Sequence, residues 1–377
     1  MTIGILGGGQ LGYMLALAGY PLGLHFRFLD PSPEAPVGRI AQRVTAEYTD
    51  EEALEKFVNG LELVTYEFEN VPVRAARCMA KHVPVYPPPE ALEAAQDRLN
   101  EKRLFEKLGI ATTSFVEVNK PAEMDAAMKK IGLPAVLKTR RMGYDGKGQW
   151  VLRTQDDVQR VKKDFPNTAL ILENFVTFQR ELSILAVRGK SGETAFYPLV
   201  ENHHRGGILR LSIAPAPKLS KALQEAGERA AKLILQELNY VGVLAIEFFE
   251  CNGELMANEM APRVHNSGHW SIEGAATSQF ENHLRAVLGM PLGSTSTTGI
   301  SAMLNLIGET PEAPGVLAIP DAHLHLYGKS PRPGRKVGHV TLRAANLEEL
   351  KRKLAMLPAF FQREEFCLPS KPAATAV

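Results

Sequence analysis

Two carboxylates of the chain have the residue type and spacing of a metal site. Glu247 and Glu259 lie on two apolar runs that meet at Asn252-Gly253, a dipeptide typical of a hairpin turn. A two-residue turn would place Glu247 opposite Asn258, so the carboxylates share a face only if the loop takes one more residue, with a bulge. We predict that bulge. Two carboxylates beside Asn258 are hard oxygen ligands suited to Mg²⁺ on the phosphates of ATP, and solvent-facing strand residues are the alternative.

The glycine-rich stretch GYDGKGQ, residues 143 to 149, is a second candidate for phosphate chemistry. Glycines let backbone N–H groups turn toward a polyanion, and no Ser or Thr follows Lys147 to hold magnesium as in a P-loop. We therefore predict a hairpin that folds over a nucleotide, with a surface turn as the alternative. Its residues are Gly143, Tyr144, Asp145, Gly146, Lys147, Gly148 and Gln149.

The first 30 residues have the pattern of a βαβ unit, with strands predicted at 3–6 and 24–29 and a helix at 10–20. The turn GGGQLG has the GxGxxG spacing, and Asp30 follows its last glycine, Gly12, by 18 positions. A dinucleotide-binding domain of an NAD-dependent oxidoreductase is therefore a rival hypothesis. It explains only this short part of the chain.

A third predicted strand, LELVTY at 61–66, runs into Glu67 and Glu69. Polar residues would then follow three parallel strands at their carboxyl ends, where open α/β sheets bind ligands. Acidic loop residues in contact with solvent are the alternative. The fold class is α/β.

Composition excludes several other classes of function. The 377 residues include 43 basic and 42 acidic side chains, a balance that argues against a nucleic-acid-binding or membrane-binding surface. Cys78, Cys251 and Cys367 have no metal-site spacing and indicate reduced thiols. No apolar run has the ~18 residues of a membrane span, and no Lys or Arg precedes Arg27 as in a signal peptide. We expect a cytoplasmic protein.

Together with NEMAPRVHNSGHW (258–270) and RPGRKVGHV (332–340), these motifs resemble the ATP-grasp ligases, and specifically the N5-carboxyaminoimidazole ribonucleotide synthetase family. The resemblance covers nearly the whole chain. It implies an ATP-grasp fold preceded by a Rossmann-like N-terminal domain with an open parallel sheet. We expect that domain at 1–100, a lid subdomain at 101–178, and a C-terminal ATP-grasp domain with the metal hairpin at 179–377. The last ~90 residues should form a smaller α/β layer.

The resemblance also implies a reaction. ATP and bicarbonate would form carboxyphosphate, which either yields CO₂ or reacts directly. The exocyclic amine of 5-aminoimidazole ribonucleotide would thereby be carboxylated in purine biosynthesis, with ADP and phosphate as the other products. The cofactors would be ATP with Mg²⁺ or Mn²⁺, and bicarbonate would be a co-substrate. The partners would be these small molecules, a second copy of the chain in a homodimer, and a downstream mutase that receives the product.

Residue by residue, the resemblance implies nucleotide contacts along much of the chain. Arg98 lies on a helix predicted from Ala94 to Leu108, and Lys138 lies in an apolar strand where an ammonium needs an anion. Glu181 would accept from the ribose hydroxyls. The remaining nucleotide contacts are the glycine loop, the adenine-reading segment Glu173, Asn174, Phe175 and Val176, then His204, Asn258 and Glu259.

The other implied residues act on bicarbonate and on the ribonucleotide. Arg263 and Asn266 would hold the bicarbonate and carboxyphosphate oxygens, with His265 and His269 as further catalytic residues. Asp145, a further catalytic residue, and Glu67 would contact the amine or the imidazole. The other residues implied to bind the ribonucleotide are Gln10 and a phosphate clamp of Lys329, Arg335 and Lys336, whose alternative is a solvated basic loop.

Two other functions compete. One is another ATP-grasp enzyme, such as the formate-dependent glycinamide ribonucleotide transformylase, although Tyr144-Asp145 and HNSGH argue against it in the family comparison. The other is the NAD-dependent oxidoreductase, which would leave the carboxylate pair and the second glycine loop without a role.

Overall fold

The described residues form three β-sheets, which follow one another along the chain. The structure is a computed structural model that describes residues 1–143 and 146–361. Tyr144 and Asp145, two of the predicted site residues, lie outside the described residues. Within the described ranges, no helix is both long and apolar enough to cross a membrane.

The N-terminal sheet is open and entirely parallel, with the strand order β3-β2-β1-β4. This arrangement confirms the predicted Rossmann-like class, and the short β3 is the one strand of this sheet that the sequence pattern did not indicate. The strands are β1 (Thr2–Leu6), β2 (His25–Leu29), β3 (Gln42–Val44) and β4 (Leu63–Tyr66). The helices are α1 (Gln10–Gly19), α2 (Glu51–Phe57), α3 (Val73–Met79) and α4 (Pro89–Gln96).

The helix predicted from Ala94 to Leu108 is two helices, α4 and α5 (Arg98–Lys107). Asp97 separates them because its backbone is extended and its carboxylate accepts from Leu99 N at the start of α5. The same carboxylate binds Arg140 at 2.7 Å, so a contact distant in sequence fixes the break. The predicted boundary between residues 100 and 101 lies inside α5, and the division into domains stays a prediction.

The second sheet is antiparallel, has the order β5-β8-β6-β7 and carries the glycine-rich loop between β6 and β7. Its apolar residues, such as Leu137, Leu152 and Leu172, are fully buried beneath two helices. Its elements are β5 (Phe115–Val118), α6 (Met124–Ile131), β6 (Ala135–Thr139), β7 (Gln149–Leu152), α7 (Gln155–Lys163) and β8 (Leu170–Asn174).

The third sheet is antiparallel, and its strands lie between Arg180 and Ala344. Its order is β14-β13-β9-β11-β12-β15-β17-β16, and β10 pairs with β9. Its strands are β9 (Arg180–Arg188), β10 (Thr194–Phe196), β11 (Val200–Arg205), β12 (Ile208–Ala214), β13 (Gly242–Cys251), β14 (Glu254–Ala261), β15 (Ile300–Ile307), β16 (Ala322–Leu326) and β17 (Lys336–Ala344). The helices are α8 (Lys221–Glu237), α9 (Ser271–Gly274), α10 (Gln279–Leu288), α11 (Ala313–Leu317) and α12 (Leu347–Met356).

The last ~90 residues, predicted to form a smaller α/β layer, contribute β15, β16 and β17, which pack with α11 and α12 in one hydrophobic core. Strand β15 pairs with β12 from Leu211↔Leu304 to Ala214↔Ser301, so the C-terminal strands continue the sheet that carries the carboxylate hairpin. Because the strands are joined by hydrogen bonds across the sheet, the basic turn before β17 and the hairpin are held in one rigid unit.

Candidate active site

A cleft of about 300 Å³ is lined by residues from all three sheets and their connecting segments. Most predicted site residues meet there. They are Gln10, Arg98, Lys138, Gly143, Gly146, Gln149, Glu173, Asn174, Val176, Glu181, His204, Glu247, Asn258, Glu259, Arg263, His265, Asn266 and Lys336. The described site residues that the lining does not include are Glu67, Lys147, Gly148, Phe175, His269, Lys329 and Arg335.

The carboxylate hairpin has the predicted extra residue, but not in the predicted place. The turn contains only Asn252 and Gly253, both with positive φ. The register instead shifts between Glu247↔Glu259 and the next pair, so Asn258 is the bulged residue on β14. Because of this bulge, Glu247 and Glu259 lie directly opposite each other on one face.

The two carboxylates are held in different charge states. Burial, and then the charge of Glu259, raise the pKa of Glu247 to about 7. Burial also acts on Glu259, but Arg98 lies 2.9 Å away and holds the pKa of this carboxyl below its ordinary value. Glu259 is therefore the anionic member of the pair, and a bound cation would favour ionisation of Glu247 as well.

The donor set at the hairpin fits a hard divalent cation. Asn258 Oδ1 is buried and has no hydrogen-bond partner among the described residues, which leaves an oxygen available beside the two carboxylates. No group of three or more His, Cys, Asp or Glu side chains that could hold a metal occurs in the described parts of the chain. A cation here would therefore need further oxygen ligands, and nucleotide phosphates are oxygen ligands of that kind.

The nucleotide end of the cleft has buried ion pairs where ligand contacts were predicted. Lys138 Nζ lies 3.0 Å from Glu173 Oε2, so a carboxylate of the chain already compensates the ammonium that was predicted to need a phosphate. Burial opposes ionisation of Glu173, but Lys102 and Lys138 lower its pKa to about 2. Phe175 does not line the cleft, and Arg153 lies 5.1 Å from the centre of its ring.

His204 and Glu181 form a second ion pair in the cleft. Their Nδ1 and Oε2 atoms are 2.9 Å apart. Burial favours the neutral ring, but the Glu181 carboxylate outweighs it and raises the pKa of His204 to about 9. The ring is therefore a cation at neutral pH, and its charge faces the side of the cleft that holds Glu247.

The glycine-rich loop packs against the turn between β11 and β12. Gly146 has φ +76°, and a Cβ there would lie 3.2 Å from the Cα of Gly207. Gly148 has φ +72°, and its Cβ would lie 2.6 Å from Thr139 Oγ1. Both positions therefore require glycine in this conformation of the loop.

Arg263 is the most strongly anchored of the predicted bicarbonate residues. Its Nε donates to Glu69 Oε2, and its Nη1 donates to Val264 O at 3.0 Å. Burial would raise the pKa of Glu69, but the Arg263 guanidinium holds it below its ordinary value. The remaining N–H groups of Arg263, a five-donor side chain, can face an oxyanion in the cleft.

A chain of buried hydrogen bonds fixes the tautomer of His265. Ser267 N donates to His265 Nδ1 at 3.3 Å, so Nδ1 is the acceptor and Nε2 carries the proton. Ser267 Oγ lies 2.9 Å from the same nitrogen and accepts from Ser183 Oγ, which accepts in turn from Asn202 Nδ2. Burial, then Arg263, lower the pKa of His265 to about 3, so the neutral ring presents an N–H donor to the cleft.

Asn266 is oriented by Asn305 on β15. The two side-chain amides exchange hydrogen bonds of 2.9 and 2.7 Å, and Asn305 Nδ2 also donates to Leu209 O. Since a backbone carbonyl can only accept, it sets the orientation of Asn305 and thereby that of Asn266. One N–H of Asn266 remains for an oxygen in the cleft.

The structure does not bring His269 to the cleft. Its side chain is fully buried and packs against the rings of Phe280 and His339, at centroid distances of 5.6 and 5.0 Å. Burial lowers its pKa well below the ordinary value. The prediction of His269 as a catalytic residue was wrong. It rested on the resemblance and on the position of His269 directly after the metal-binding strand, but the 3-10 helix Asn266–Gly268 turns this side chain into the core.

Glu67 lies beneath the first glycine turn. Its carboxylate accepts from Gly9 N and, at 2.7 Å, from Gly12 N, and Asp30 Oδ2 accepts from Gly8 N at 2.7 Å. These are the N–H groups to which a dinucleotide pyrophosphate would bind. Carboxylates of the chain already occupy them, which argues against the oxidoreductase hypothesis.

The basic turn divides between two pockets. Lys336 lines the main cleft, whereas Lys329 and Arg335 line a neighbouring pocket of about 400 Å³ together with Arg39 and Arg43. Lys329 Nζ donates to Gln10 Oε1, which lies in the main cleft and connects the two pockets. The second pocket has an excess of positive charge suited to a phosphate.

Several contacts of the site escaped sequence reasoning. Glu69 and Asn305 orient Arg263 and Asn266, and Gln279 both accepts from His265 N and donates to its carbonyl. Glu69 was predicted beside Glu67 at the carboxyl end of a strand, but its contact with Arg263 was not predicted. The other two carry no local signal, because an amide within an apolar helix or strand does not identify its partner.

Models of protein families match three parts of the chain. An ATP-grasp domain matches residues 103–280, and a ribonucleotide synthetase preATP-grasp domain matches residues 1–96. A phosphoribosylaminoimidazole carboxylase C-terminal domain matches residues 301–353.

Relatives and solved structures cover nearly all of the chain. A protein from Pseudomonas aeruginosa named N5-carboxyaminoimidazole ribonucleotide synthase is 53% identical over 96% of this chain and 100% of its own length. The N5-carboxyaminoimidazole ribonucleotide synthetase of Thermus thermophilus is 59% identical, with a TM-score of 0.92 over 98% of this chain and 100% of that one. An Aspergillus clavatus N5-carboxyaminoimidazole synthase, solved with ADP and 5-aminoimidazole ribonucleotide, is 32% identical, with a TM-score of 0.87 over 94% and 96% of the two chains.

Proposed function

Because the chain belongs to the N5-carboxyaminoimidazole ribonucleotide synthase family of ATP-grasp ligases, we propose that it carboxylates 5-aminoimidazole ribonucleotide with ATP and bicarbonate. The products are N5-carboxyaminoimidazole ribonucleotide, ADP and phosphate, in the de novo pathway to purines. One observation carries the proposal. Glu247 and Glu259 face the same cleft as Arg263, His265 and Asn266, so a phosphate site adjoins an oxyanion site.

The carboxylate hairpin and the cations around it bind the nucleotide. Glu247, Glu259 and Asn258 would hold Mg²⁺ or Mn²⁺, which when bound supplies positive charge to the phosphates of ATP. Arg98 and Lys138 neutralise the negative charge that builds up on the transferring phosphoryl group. The loop at 143–149, including Lys147, Gly148 and the undescribed Tyr144 and Asp145, covers the phosphates and excludes water.

The oxyanion residues hold bicarbonate. A bicarbonate oxygen attacks the γ-phosphorus in line while the bond to the β-phosphate oxygen breaks, which forms carboxyphosphate and releases ADP. Arg263, the Nε2–H of His265 and the free N–H of Asn266 donate to the carboxylate oxygens. The substrate amine nitrogen then bonds to the carboxyl carbon, phosphate leaves and the amine loses a proton. His269 supports the site from the core.

The ribonucleotide lies between the cleft and the second pocket. Gln10 and Asp145 contact the base, with Glu67 beneath the glycine turn on the same side. Lys329, Arg335 and Lys336 hold the 5′-phosphate, since the positive charge of the second pocket continues into the cleft through Lys336. The same proposal includes three further points. The protein forms a homodimer, it acts in the cytoplasm, and its product passes to a downstream mutase.

Measurement of ADP release tests the reaction. We expect release that requires 5-aminoimidazole ribonucleotide and bicarbonate together, with ¹³C from labelled bicarbonate appearing in an acid-labile product. If ADP release instead required formate and glycinamide ribonucleotide, the protein would be assigned that other ATP-grasp activity. ADP release that is independent of bicarbonate would contradict the proposal.

A further inference from the structure

Strand β14, which carries Asn258 and Glu259, is the outermost strand of its sheet, and α5 lies along its outer edge. At this edge Thr112 forms an isolated bridge with Ala257, whose N–H donates to Ala111 O at 2.7 Å and whose carbonyl accepts from Thr112 Oγ1 at 2.8 Å. The side chain of Lys102 on α5 is only 1% exposed. Its Nζ lies 2.9 Å from Thr112 Oγ1, 2.8 Å from Asn258 O and 3.3 Å from Ala257 O. These three contacts use all three protons of an ammonium group.

The two carbonyls that Lys102 binds belong to consecutive residues. In a regular strand, consecutive carbonyls point to opposite sides, so a single ammonium at one edge cannot reach both. Lys102 reaches Ala257 O and Asn258 O because the bulge at Asn258 turns them to the same side. The contact is therefore specific to the bulged form of the strand.

The neighbouring residue of α5 holds the other side of Glu259. Glu101 is buried, and its Oε1 accepts from Met260 N at 2.6 Å. The carbonyl before Glu259 and the N–H after it are thus both bound by α5. Both groups lie on a sheet edge, where no neighbouring strand pairs with them.

We propose that Lys102 and Glu101 are positioning residues that hold the bulge at Asn258, so that Glu259 faces Glu247 at the metal site. The inference rests on the proposed function of this pair as metal ligands. Without the clamp, β14 can return to regular pairing. Glu247 would then lie opposite Asn258, and Glu259 would point to the other face of the hairpin.

The test compares Lys102→Met with Lys353→Met. Lys353 is a matched control, since its Nζ is also buried, binds Asp321 at 2.7 Å and Arg343 O at 2.8 Å, and lies outside the cleft lining. We expect Lys102→Met to raise the free Mg²⁺ needed for half-maximal ADP release by about tenfold or more, as for loss of partners that orient metal ligands. The KM for 5-aminoimidazole ribonucleotide should stay unchanged. Lys353→Met should lower Tm without moving the Mg²⁺ dependence.

A second pair of variants decides the question if Lys102→Met does not fold. Glu101→Gln retains an acceptor oxygen for Met260 N, whereas Glu101→Met removes it at similar volume. We expect the shift in Mg²⁺ dependence in Glu101→Met and its rescue in Glu101→Gln. Equal behaviour of the two variants, or a folded Lys102→Met with wild-type Mg²⁺ dependence, would overturn the proposal.

Hydrogen exchange of the peptide 256–261 without ligands tests the clamp independently of the reaction. Exchange in this peptide should be faster in Lys102→Met and Glu101→Met than in the wild type, and unchanged protection in both would refute the clamp. By contrast, absence of Mg²⁺-dependent ADP release in the wild type would refute the proposed function and leave the exchange result standing.

Discussion

Two glycine-rich turns of this chain have the composition of phosphate-binding loops, and the structure uses them in opposite ways. In the turn at 7–12, the N–H groups bind the chain's own carboxylates, Asp30 and Glu67. In the loop at 143–149, Gly143 and Gly146 line the cleft opposite the carboxylate hairpin. The first turn therefore stabilises the fold through contacts within the chain, whereas the second loop faces the candidate ligand site.

The difference shows what a glycine spacing can establish. It indicates that backbone N–H groups can converge on an anion, but not whether the anion is a ligand or a side chain. That choice depends on Glu67, which is 55 residues from Gly12 and packs so closely that a Cβ on Gly7 would lie 2.5 Å from its Cγ.

The largest expected effect concerns the hairpin that faces the second loop. Glu259→Gln replaces an anionic metal ligand with a neutral amide, so kcat should fall by about 10²- to 10³-fold while the fold is kept. Glu254→Gln, an exposed position on the same strand, is the control and should retain wild-type turnover. Wild-type ADP production by Glu259→Gln at saturating Mg²⁺ would refute the metal assignment.

His283 joins the N-terminal sheet to the third sheet, and its effect on stability should depend on pH. Its Nε2 lies 2.9 Å from Thr65 Oγ1 on β4, and its Nδ1 accepts from Val243 N on β13. Burial lowers its pKa to about 4, whereas in the unfolded chain the ring has its ordinary value of 6.5. The unfolded state therefore binds more protons between these values, so the stabilisation is complete above pH 6.5 and declines as the pH falls toward 4.

The expected loss from this one histidine is about 3 kcal/mol of unfolding free energy between pH 7 and pH 4. His283→Asn, which keeps an acceptor near Val243 N, should lose less stability over the same range. Denaturant unfolding at pH 7 and pH 4 measures the loss of unfolding free energy in the wild type and in the variant. The contributions of the other histidines are the same in both proteins and cancel when the two losses are subtracted. Parallel losses in the two proteins would show that the titration of His283 does not contribute to the pH dependence of stability.

A pair of glycine substitutions contrasts the two turns directly. Gly146→Val should raise the KM for ATP by about tenfold, because a β-branched residue at φ +76° beside Gly207 strains the loop. Gly9→Ala should instead lower stability by about 1–3 kcal/mol, because its Cβ would meet Glu67 Oε1. ATP titrations and thermal melts of both variants separate the effects. An increase in the KM for ATP in Gly9→Ala alone would reverse the roles assigned to the turns.

The last prediction tests the second pocket. Arg335→Ala should weaken 5-aminoimidazole ribonucleotide by about 1.5–3 kcal/mol, the range for hydrogen bonds to charged groups, and leave ATP affinity unchanged. Lys336→Ala should affect both ligands, since Lys336 lines the main cleft. Separate titrations of each variant with each ligand check this, and loss of ATP affinity in Arg335→Ala would make the turn a nucleotide site.

Local pattern was sufficient for much of the fold and for the residue types of the site. The parallel N-terminal sheet follows from buried strands separated by a helical period, and β13 and β14 follow from apolar runs around Asn252-Gly253. Each of these patterns lies within a few tens of residues, and over such short segments backbone geometry allows few arrangements of strands and turns. The resemblance to ATP-grasp ligases rests on the same short motifs.

Tertiary contacts decided the rest. The sequence required an extra residue near the hairpin, but its place at Asn258 depends on distant partners, among them Lys102 and Glu101, which are more than 150 positions away. The same reason applies to three other side chains. Glu67 binds the N–H groups of the first glycine turn, His269 lies in the core, and Lys336 and Arg335 line different pockets. In each case, the position of a polar side chain depends on buried partners supplied by a distant element, and no periodicity in one segment encodes those partners.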